Sequence, residues 1–487
     1  MRKEYMDSVS KILKSVPALD AKWMKTLPTG NNAEVVIFQN ATVADFEACC
    51  EAFAKADYTE YSKTSFCGKA FENGGNEAYY KSYFDVSFDD NFDPENYFAT
   101  YVSDSCSIDI GFHEFDNFLS VAISPRDELT LPNREAPAAR EKLPITITQL
   151  GLGDLHSEAE MCYVIRLADG SFIVYDTGLS YDERGSAGDE IYRVLCKQAA
   201  DPENIVITAF VLTHPHGDHI WGFLKFADSY ASYANIKVKQ VIYNYPGIEC
   251  MSPEIRPHEH QHRLSVEAAI RKFGPDVEVV KPRSGNVLYY PGVKFNVVYT
   301  QEDYLSLADD FAGSAMGNVM SLVMQMVTDD GTKVFFGADH WADQAKGQLK
   351  YRYGSFLESY ICTLFHHGQG GGAEDNAALK GPDGWKNSIY AQAIRPKIVL
   401  WPSRWATLTT IGDRDQRKIS RNKYFTMTGP DMDTLLEGNV LHSEADANPY
   451  GVRGWFSAEA GIQIVTILGK DDISIVKYET RDVYYHS

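Results

Sequence analysis

The chain has 487 residues, 44% hydrophobic and 23% charged, the balance of a soluble globular protein with room for two or three domains. Its 46 Lys and Arg against 67 Asp and Glu leave a formal net charge of -21, a field that repels phosphate backbones and speaks against a nucleic-acid partner. No segment approaches the ~20 apolar residues of a membrane span, the first twenty residues lack the apolar core of a signal peptide, and eight scattered cysteines form no CxxC pair, so a cytoplasmic protein with reduced thiols is expected.

At the front, Met6, Val9, Ile12, Leu13 and Val16 have helical spacing, and that helix should end near Pro17. Glu34 to Gln39 reads as a strand, and Thr42-Val43-Ala44-Asp45 opens a helix through Ala56 with a capping-box pattern. Segments Tyr58 to Phe66, Ala78 to Phe88, Asn96 to Val102, Ser107 to Phe112 and Phe118 to Ile123 then alternate with period two, which predicts a small antiparallel sheet. Residues 1–124 are thus expected to form a small α+β accessory domain, its tyrosines core and cross-strand partners and His113 structural. Pro125 to Pro144, rich in proline and charge, reads as a linker to a second domain over 145–487.

The second domain opens with the strand Ile145 to Leu150 and Gly151-Leu152-Gly153-Asp154. Cys162 to Leu167 and Ser171 to Tyr175 form a hairpin whose second strand runs into Asp176-Thr177-Gly178. A helix over Asp189 to Ala200 leads to the buried strand Ile205 to Leu212. That strand ends in Thr213-His214-Pro215-His216-Gly217-Asp218-His219, and a helix is expected from Ile220 to Tyr230. His214 and His216, two apart, leave an extended chain on the same side and can share a cation, while Asp218 and His219 follow a glycine that lets the chain turn. Imidazole and carboxylate together suit zinc, with manganese or iron as substitutes, and four ligands on one turn can serve two adjacent metals.

Beyond the cluster, Ile236 to Tyr243, Val277 to Val280 and Lys294 to Tyr299 read as strands. His258, His260 and His262 open an amphipathic helix among Glu, Gln and Arg, and are read as a solvated helix start rather than a second ligand set. Asn318 to Met326 reads as a strand; Lys333 to Phe336 ends in Gly337-Ala338-Asp339-His340, and Ile361 to Phe365 ends in His366-His367-Gly368. Three strands therefore finish in metal-type residues, which converge if the sheet brings those ends together. Pro396 to Pro402 is another buried strand, Arg414 to Lys423 a solvated loop, and Ile462 to Leu468 with Ile473 to Tyr478 a hairpin. The order, strands first and then strand and helix alternating, predicts a mixed α/β sandwich with its sheets inside.

These residues resemble the metallo-β-lactamase-fold hydrolase superfamily, whose signature H-x-H-x-D-H is present as His214, His216, Asp218 and His219. The order continues through Asp176-Thr177-Gly178, Asn318 and Ser321, Asp339 and His366-His367-Gly368, and looks like the branch that holds the hydrolase domain of the DNA-uptake competence channel. The resemblance implies an αββα sandwich with a dinuclear site at one sheet edge: His214 and His216 on the first metal, Asp218, His219 and His367 on the second, and Asp339 bridging both. It makes His366 either a support to the ligands or a proton donor, and Asp176 the holder of a ligand histidine. The superfamily's usual third histidine for the first metal falls near Asn318, so Asn318, His340 or water would fill that place. Gln369-Gly370-Gly371-Gly372 replaces the serine that usually follows H-H-G in that branch.

The function expected is hydrolysis by a hydroxide held between two divalent cations, with zinc the first choice, on a small phosphoester or phosphodiester. Asp218 would orient the nucleophile and accept its proton, and His366 or His340 would protonate the leaving group. Arg404 is the one cation singled out for a phosphate. Ester, lactone or lactam hydrolysis on the same metals is the second enzyme reading, and a non-catalytic binding protein with a degenerate site the third.

Overall fold

A computed structural model of the chain describes residues 19, 22–30, 33–69, 93–126, 129–137, 142–150, 161–179, 186–246, 257–307, 316–340, 348–368, 393–402, 454–457, 462–470, 472–478 and 481–486. The helix expected over Met6 to Val16, the strand over Ala78 to Phe88, Arg404, Arg414 to Lys423 and the glycine-rich 369–372 lie outside them.

The alternating front segments pair with one another. Strands β1 (Lys22–Gly30), β2 (Ala33–Gln39), β3 (Thr59–Ser65), β4 (Asn96–Val102), β5 (Cys106–His113) and β6 (Phe118–Pro125) form an antiparallel sheet in the order β1-β2-β6-β5-β4-β3. β1 was not foreseen, and as an edge strand it tolerates Pro28. Helix α1 (Val43–Lys55) starts at the Thr42–Asp45 capping box and buries Phe46, Cys49, Cys50 and Phe53 against Tyr101, Ile108, Ile110 and Val121.

Two further sheets form the sandwich. The first takes β7 (Ile145–Gln149), β8 (Tyr163–Arg166), β9 (Phe172–Tyr175), β10 (Ile205–Val211), β11 (Ile236–Ile242) and β12 (Glu278–Val280). The second takes β13 (Val287–Tyr290), β14 (Val293–Tyr299), β15 (Val323–Thr328), β16 (Lys333–Phe336), β17 (Ile361–Thr363), β18 (Ile398–Trp401) and β19 (Gly454–Ser457) in sequence order. The chain then returns to the first with β20 (Ile462–Gly469) and β21 (Asp472–Tyr478), whose order is β12-β11-β10-β9-β8-β7-β20-β21.

Ile147, Tyr163, Ile165, Tyr175 and Val211 face Phe295, Met324, Val334, Phe336 and Leu400 across the inner core. On the other side, Phe172, Val174, Ile207 and Phe210 pack under α2 (Ala187–Gln198), α3 (Gly217–Tyr230) and α4 (Pro257–Ile270). Strands buried on both faces read as near-continuous apolar runs, which is why β10 was legible. Outside the second sheet lies α5 (Gln348–Tyr353), and just beyond it the Phe356 carbonyl accepts from Gln325 Nε2 at 2.9 Å. The architecture is the mixed α/β sandwich expected. The Asn318 segment differs: Met316–Val319 is a helical turn and the strand begins only at Val323, so Asn318 and Ser321 precede it.

Buried charges tie the front sheet to the sandwich. Arg352, at 0% exposure, donates to Asp116 at 2.6 and 2.9 Å and to Asp303 at 2.7 Å, while Asn96 Nδ2 donates to the Arg352 carbonyl at 2.7 Å. His113 adds its Nε2 at 3.3 Å from Asp303, the structural place expected of it. Arg283 pairs with Glu302 and donates to Ser124 Oγ at 2.9 Å. Part of the proline-rich segment is strapped down as well, since Thr130 N donates to the Val279 carbonyl at 2.7 Å and Tyr61 Oη to that of Pro132 at 2.6 Å. Among the described residues no helix is long and apolar enough to cross a membrane, and the described cysteines are free thiols.

Candidate metal centre

The ends of β10, β16 and β17 meet at one edge of the sandwich. The chain leaves β10 at Val211, and α3 begins already at Gly217 with His216 as its N-cap, so Asp218 and His219 sit in the first helical turn rather than before it. The Asp176-Thr177-Gly178 turn after β9 grips that turn: Thr177 N and Oγ1 donate to the His219 carbonyl at 2.8 and 2.7 Å, and Phe223 N donates to Thr177 Oγ1 at 2.9 Å. The approach needs Gly222, where a Cβ would stand 1.8 Å from the Thr177 carbonyl oxygen. Asp176, Ala338, His366 and His367 have φ of 49, 48, 45 and 52°, strained values for non-glycine residues that gather here.

Four residues meet in one cluster: Asp218, His219, Asp339 and His367. His219 Nε2 lies 3.2 Å from His367 Nε2 and 3.2 Å from Asp339 Oδ1; His367 Nε2 lies 3.2 Å from Asp218 Oδ2 and 3.3 Å from Asp339 Oδ1. The outer nitrogens are committed, because His219 Nδ1 faces Asp176 Oδ2 at 2.8 Å and His367 Nδ1 faces the Pro402 carbonyl at 2.9 Å. Both acceptors require N–H at Nδ1, so each neutral ring turns an Nε2 lone pair inward. Two nitrogen lone pairs and two carboxylate oxygens then converge without a donor. Ligands about 2.0 Å from zinc in a tetrahedron stand about 3.3 Å apart, the spacing seen here, so the donor set fits a metal cation.

A second cluster shares Asp339 and adds His214 and His216. His214 Nε2 is buried, 3.8 Å from Asp339 Oδ2, with no hydrogen-bond partner among the described residues. Its Nδ1 donates to Thr213 Oγ1 at 3.1 Å, which in turn donates to Asp176 Oδ2 at 2.9 Å. Asp176 therefore orients both His219 and His214, at 0% exposure. His216 Nε2 lies 2.9 Å from Glu259 Oε1.

Asn318 and His340, the two residues weighed for the first metal's remaining place, part company, and Asn318 meets His366 instead. His366 Nε2 is 3.8 Å from Asp339 Oδ2, and Asn318 Nδ2 stands 3.1 Å from the same nitrogen. His340 joins neither cluster; its ring lies edge-on to Tyr299, centroids 4.2 Å apart, and burial takes its pKa down to about 4. That packing removes it from the site. The helix start at 257–262 is also not simply solvated, since Glu259 is 0% exposed and His262 Nδ1 donates to the Pro215 carbonyl at 2.8 Å. Glu259, Thr213 and the Pro402 carbonyl escaped the sequence reading. Only the position of Glu259 within a histidine-rich helix start signalled anything.

Charge in the clusters is balanced by protons when no cation is bound. Burial opposes charge on His367, but Asp339 and Asp218 outweigh it and push its pKa up to about 10; His219 is raised well above the ordinary value by Asp339 and Asp176 against the same opposition. Burial instead holds His214 well below, a neutral ring with its lone pair free for a ligand bond. A cation must displace the protons of the raised histidines, so its apparent affinity should rise with pH across the neutral range, by up to about tenfold per unit for each proton released. Calorimetry in buffers of different ionisation enthalpy should detect at least one proton released per protein at pH 7, and none would contradict this balance.

Residues 158–231 match the family model described as the metallo-beta-lactamase superfamily. That segment contains the Asp176 turn and all of His214 to His219, but not Asp339 or His367. No curated protein matches the chain. The matched fold and the His/Asp cluster together support a metal-dependent hydrolase.

Proposed function

We propose that this chain hydrolyses a small phosphoester or phosphodiester with two zinc ions. Asp218, His219, Asp339 and His367 hold one of them, His214, His216 and Asp339 the other. The convergence of inward-facing acceptors on two points that share Asp339 carries the reading. When bound, the cations supply Lewis acidity, acidifying water and neutralising charge on substrate oxygens.

Asp218 is 28% exposed, the open side of a cluster whose other members are at most 2% exposed. Burial disfavours its charge, yet His219 and His367 keep its pKa below the ordinary carboxylate range. As an anion at the mouth it accepts the hydrogen bond of the attacking water and then its proton. His366 is 13% exposed and its Nε2 accepts from Asn318 Nδ2, so the ring carries its proton on Nδ1, and that N–H is the donor to the leaving oxygen in this reading. The acidic surface favours a small substrate over a long nucleic acid. Asp339, Asn318 and the His366-His367-Gly368 order support a place near the competence-channel branch.

Metal content of the purified and zinc-reconstituted protein, with phosphomonoesters, phosphodiesters and lactones assayed before and after chelation, tests the reading. A protein that takes up no cation sinks it, and turnover of lactones alone moves it to carboxylic esters. His366→Gln should lower kcat about 10²-fold on substrates with basic leaving groups and little on nitrophenyl esters, at unchanged metal content. Equal loss on both would remove the proton-donor role.

A further inference from the structure

We propose that Glu259 is the positioning residue of the cluster formed by His214, His216 and Asp339. Its carboxylate holds the His216 ring with hydrogen on Nε2 and so turns Nδ1 toward the cation. The inference rests on the metal-binding reading above and adds to it a residue 43 positions away from the histidine it serves.

Glu259 Oε1 and His216 Nε2 are 2.9 Å apart, and the glutamate is 0% exposed on the first turn of α4. A carboxylate so buried is costly unless paired, and an imidazole N–H is the donor it meets here. The first turn of α4 is held against the cluster by a second contact, His262 Nδ1 to the Pro215 carbonyl at 2.8 Å, between the two cluster histidines in sequence. From the other side the backbone of Gly317 closes on the same pair. A Cβ there would stand 2.5 Å from His216 Nε2 and 3.0 Å from Glu259 Oε1, so only glycine leaves the contact intact.

Every histidine of the two clusters has such an anchor: Thr213 for His214, Asp176 for His219, the Pro402 carbonyl for His367 and Glu259 for His216. His216 is the most exposed of the four, at 19%, and belongs to the cluster with three ligand-type side chains rather than four among the described residues. There a fixed tautomer and ring orientation matter most. Asp176 thus serves His219 in one cluster and, through Thr213, His214 in the other, while Glu259 serves His216.

The test is zinc stoichiometry and affinity of the full chain, by competition with a chromophoric chelator, together with the visible spectrum of the cobalt-substituted protein. The wild type should bind two ions. E259Q, which keeps the shape but not the charge, and G317A, which pushes on the ring from behind, should each keep one ion at wild-type affinity and weaken the other about 10- to 100-fold. Only the cobalt bands of the weakened site should change. Circular dichroism and thermal melting establish that the variants are folded, and if E259A does not fold the two milder variants decide. Two ions at wild-type affinity in folded E259Q and G317A overturn the proposal, as does joint weakening of both ions. A wild type that binds no ion would instead overturn the hydrolase reading itself.

Discussion

Asp339→Ala is expected to empty both clusters at once and to lower kcat/KM on the order of 10⁴-fold, about 5.5 kcal/mol of transition-state stabilisation. Asp339 is 2% exposed and is the only residue common to the two groups of ligand-type side chains. Its Oδ1 faces His219 and His367 at 3.2 and 3.3 Å and its Oδ2 faces His214 and His366 at 3.8 Å, so each oxygen serves a different cluster. Burial disfavours its charge, but His367, His219 and His366 hold its pKa well below the ordinary carboxylate range. It is therefore an anion throughout the working pH range. Asp218→Ala provides the contrast, because it removes a ligand from one cluster only. One ion should remain, with turnover lowered on the order of 10² to 10³-fold. Elemental analysis beside steady-state kinetics distinguishes the two variants. Two ions retained in Asp339→Ala would refute the bridging role whatever happens to the rate.

Arg352→Met should cost roughly 3 to 5 kcal/mol of stability, because it leaves two carboxylates buried without their cation. Arg352 reaches Asp116 in the front sheet and Asp303 in the sandwich, with both partners at most 6% exposed. Urea unfolding should show a lower midpoint in the variant. The triple replacement R352M/D116N/D303N should recover most of the loss, since charge and countercharge leave together. A loss below about 1 kcal/mol in the single variant would assign the network no more than the worth of a surface pair. The pH dependence has a definite sign. Burial would raise the pKa of Asp303, but the hydrogen bond from His113 and the charge of Arg352 bring it down to about 2 in the folded protein. Its contribution is therefore present above the ordinary carboxylate range and is lost as the pH falls from about 4 toward 2.

The features legible in the sequence are those written in near neighbours. His214, His216, Asp218 and His219 declare a ligand cluster by spacing, Thr42 and Asp45 a helix start by their capping-box pattern, and Ile205 to Val211 a strand by an apolar run interrupted only by Thr208. Asp339 and His367 could be found because each follows the apolar strand that delivers it. β1 was not legible, since its sequence neither alternates nor runs apolar and is a strand only through its pairing with β2. The Asn318 segment misled because an apolar stretch of nine residues looks the same whether its first turn is helical or extended.

Tertiary structure alone decided which side chains hold the cluster in place. His216 meets Glu259 across 43 residues and His367 meets the Pro402 carbonyl across 35, distances over which the chain's local preferences carry no information. Those contacts exist because a helix layer is laid over one sheet and parallel strands lie side by side in the other, which is the work of apolar burial on both faces of each sheet. The same packing sent His340 into the core beside Tyr299 while Asp339, one residue earlier, entered the site. Sequence by itself determined the ligand types and the strands that carry them. Only the fold decided which of them face one point in space, because ligand geometry is a property of layers in contact and not of residues in order.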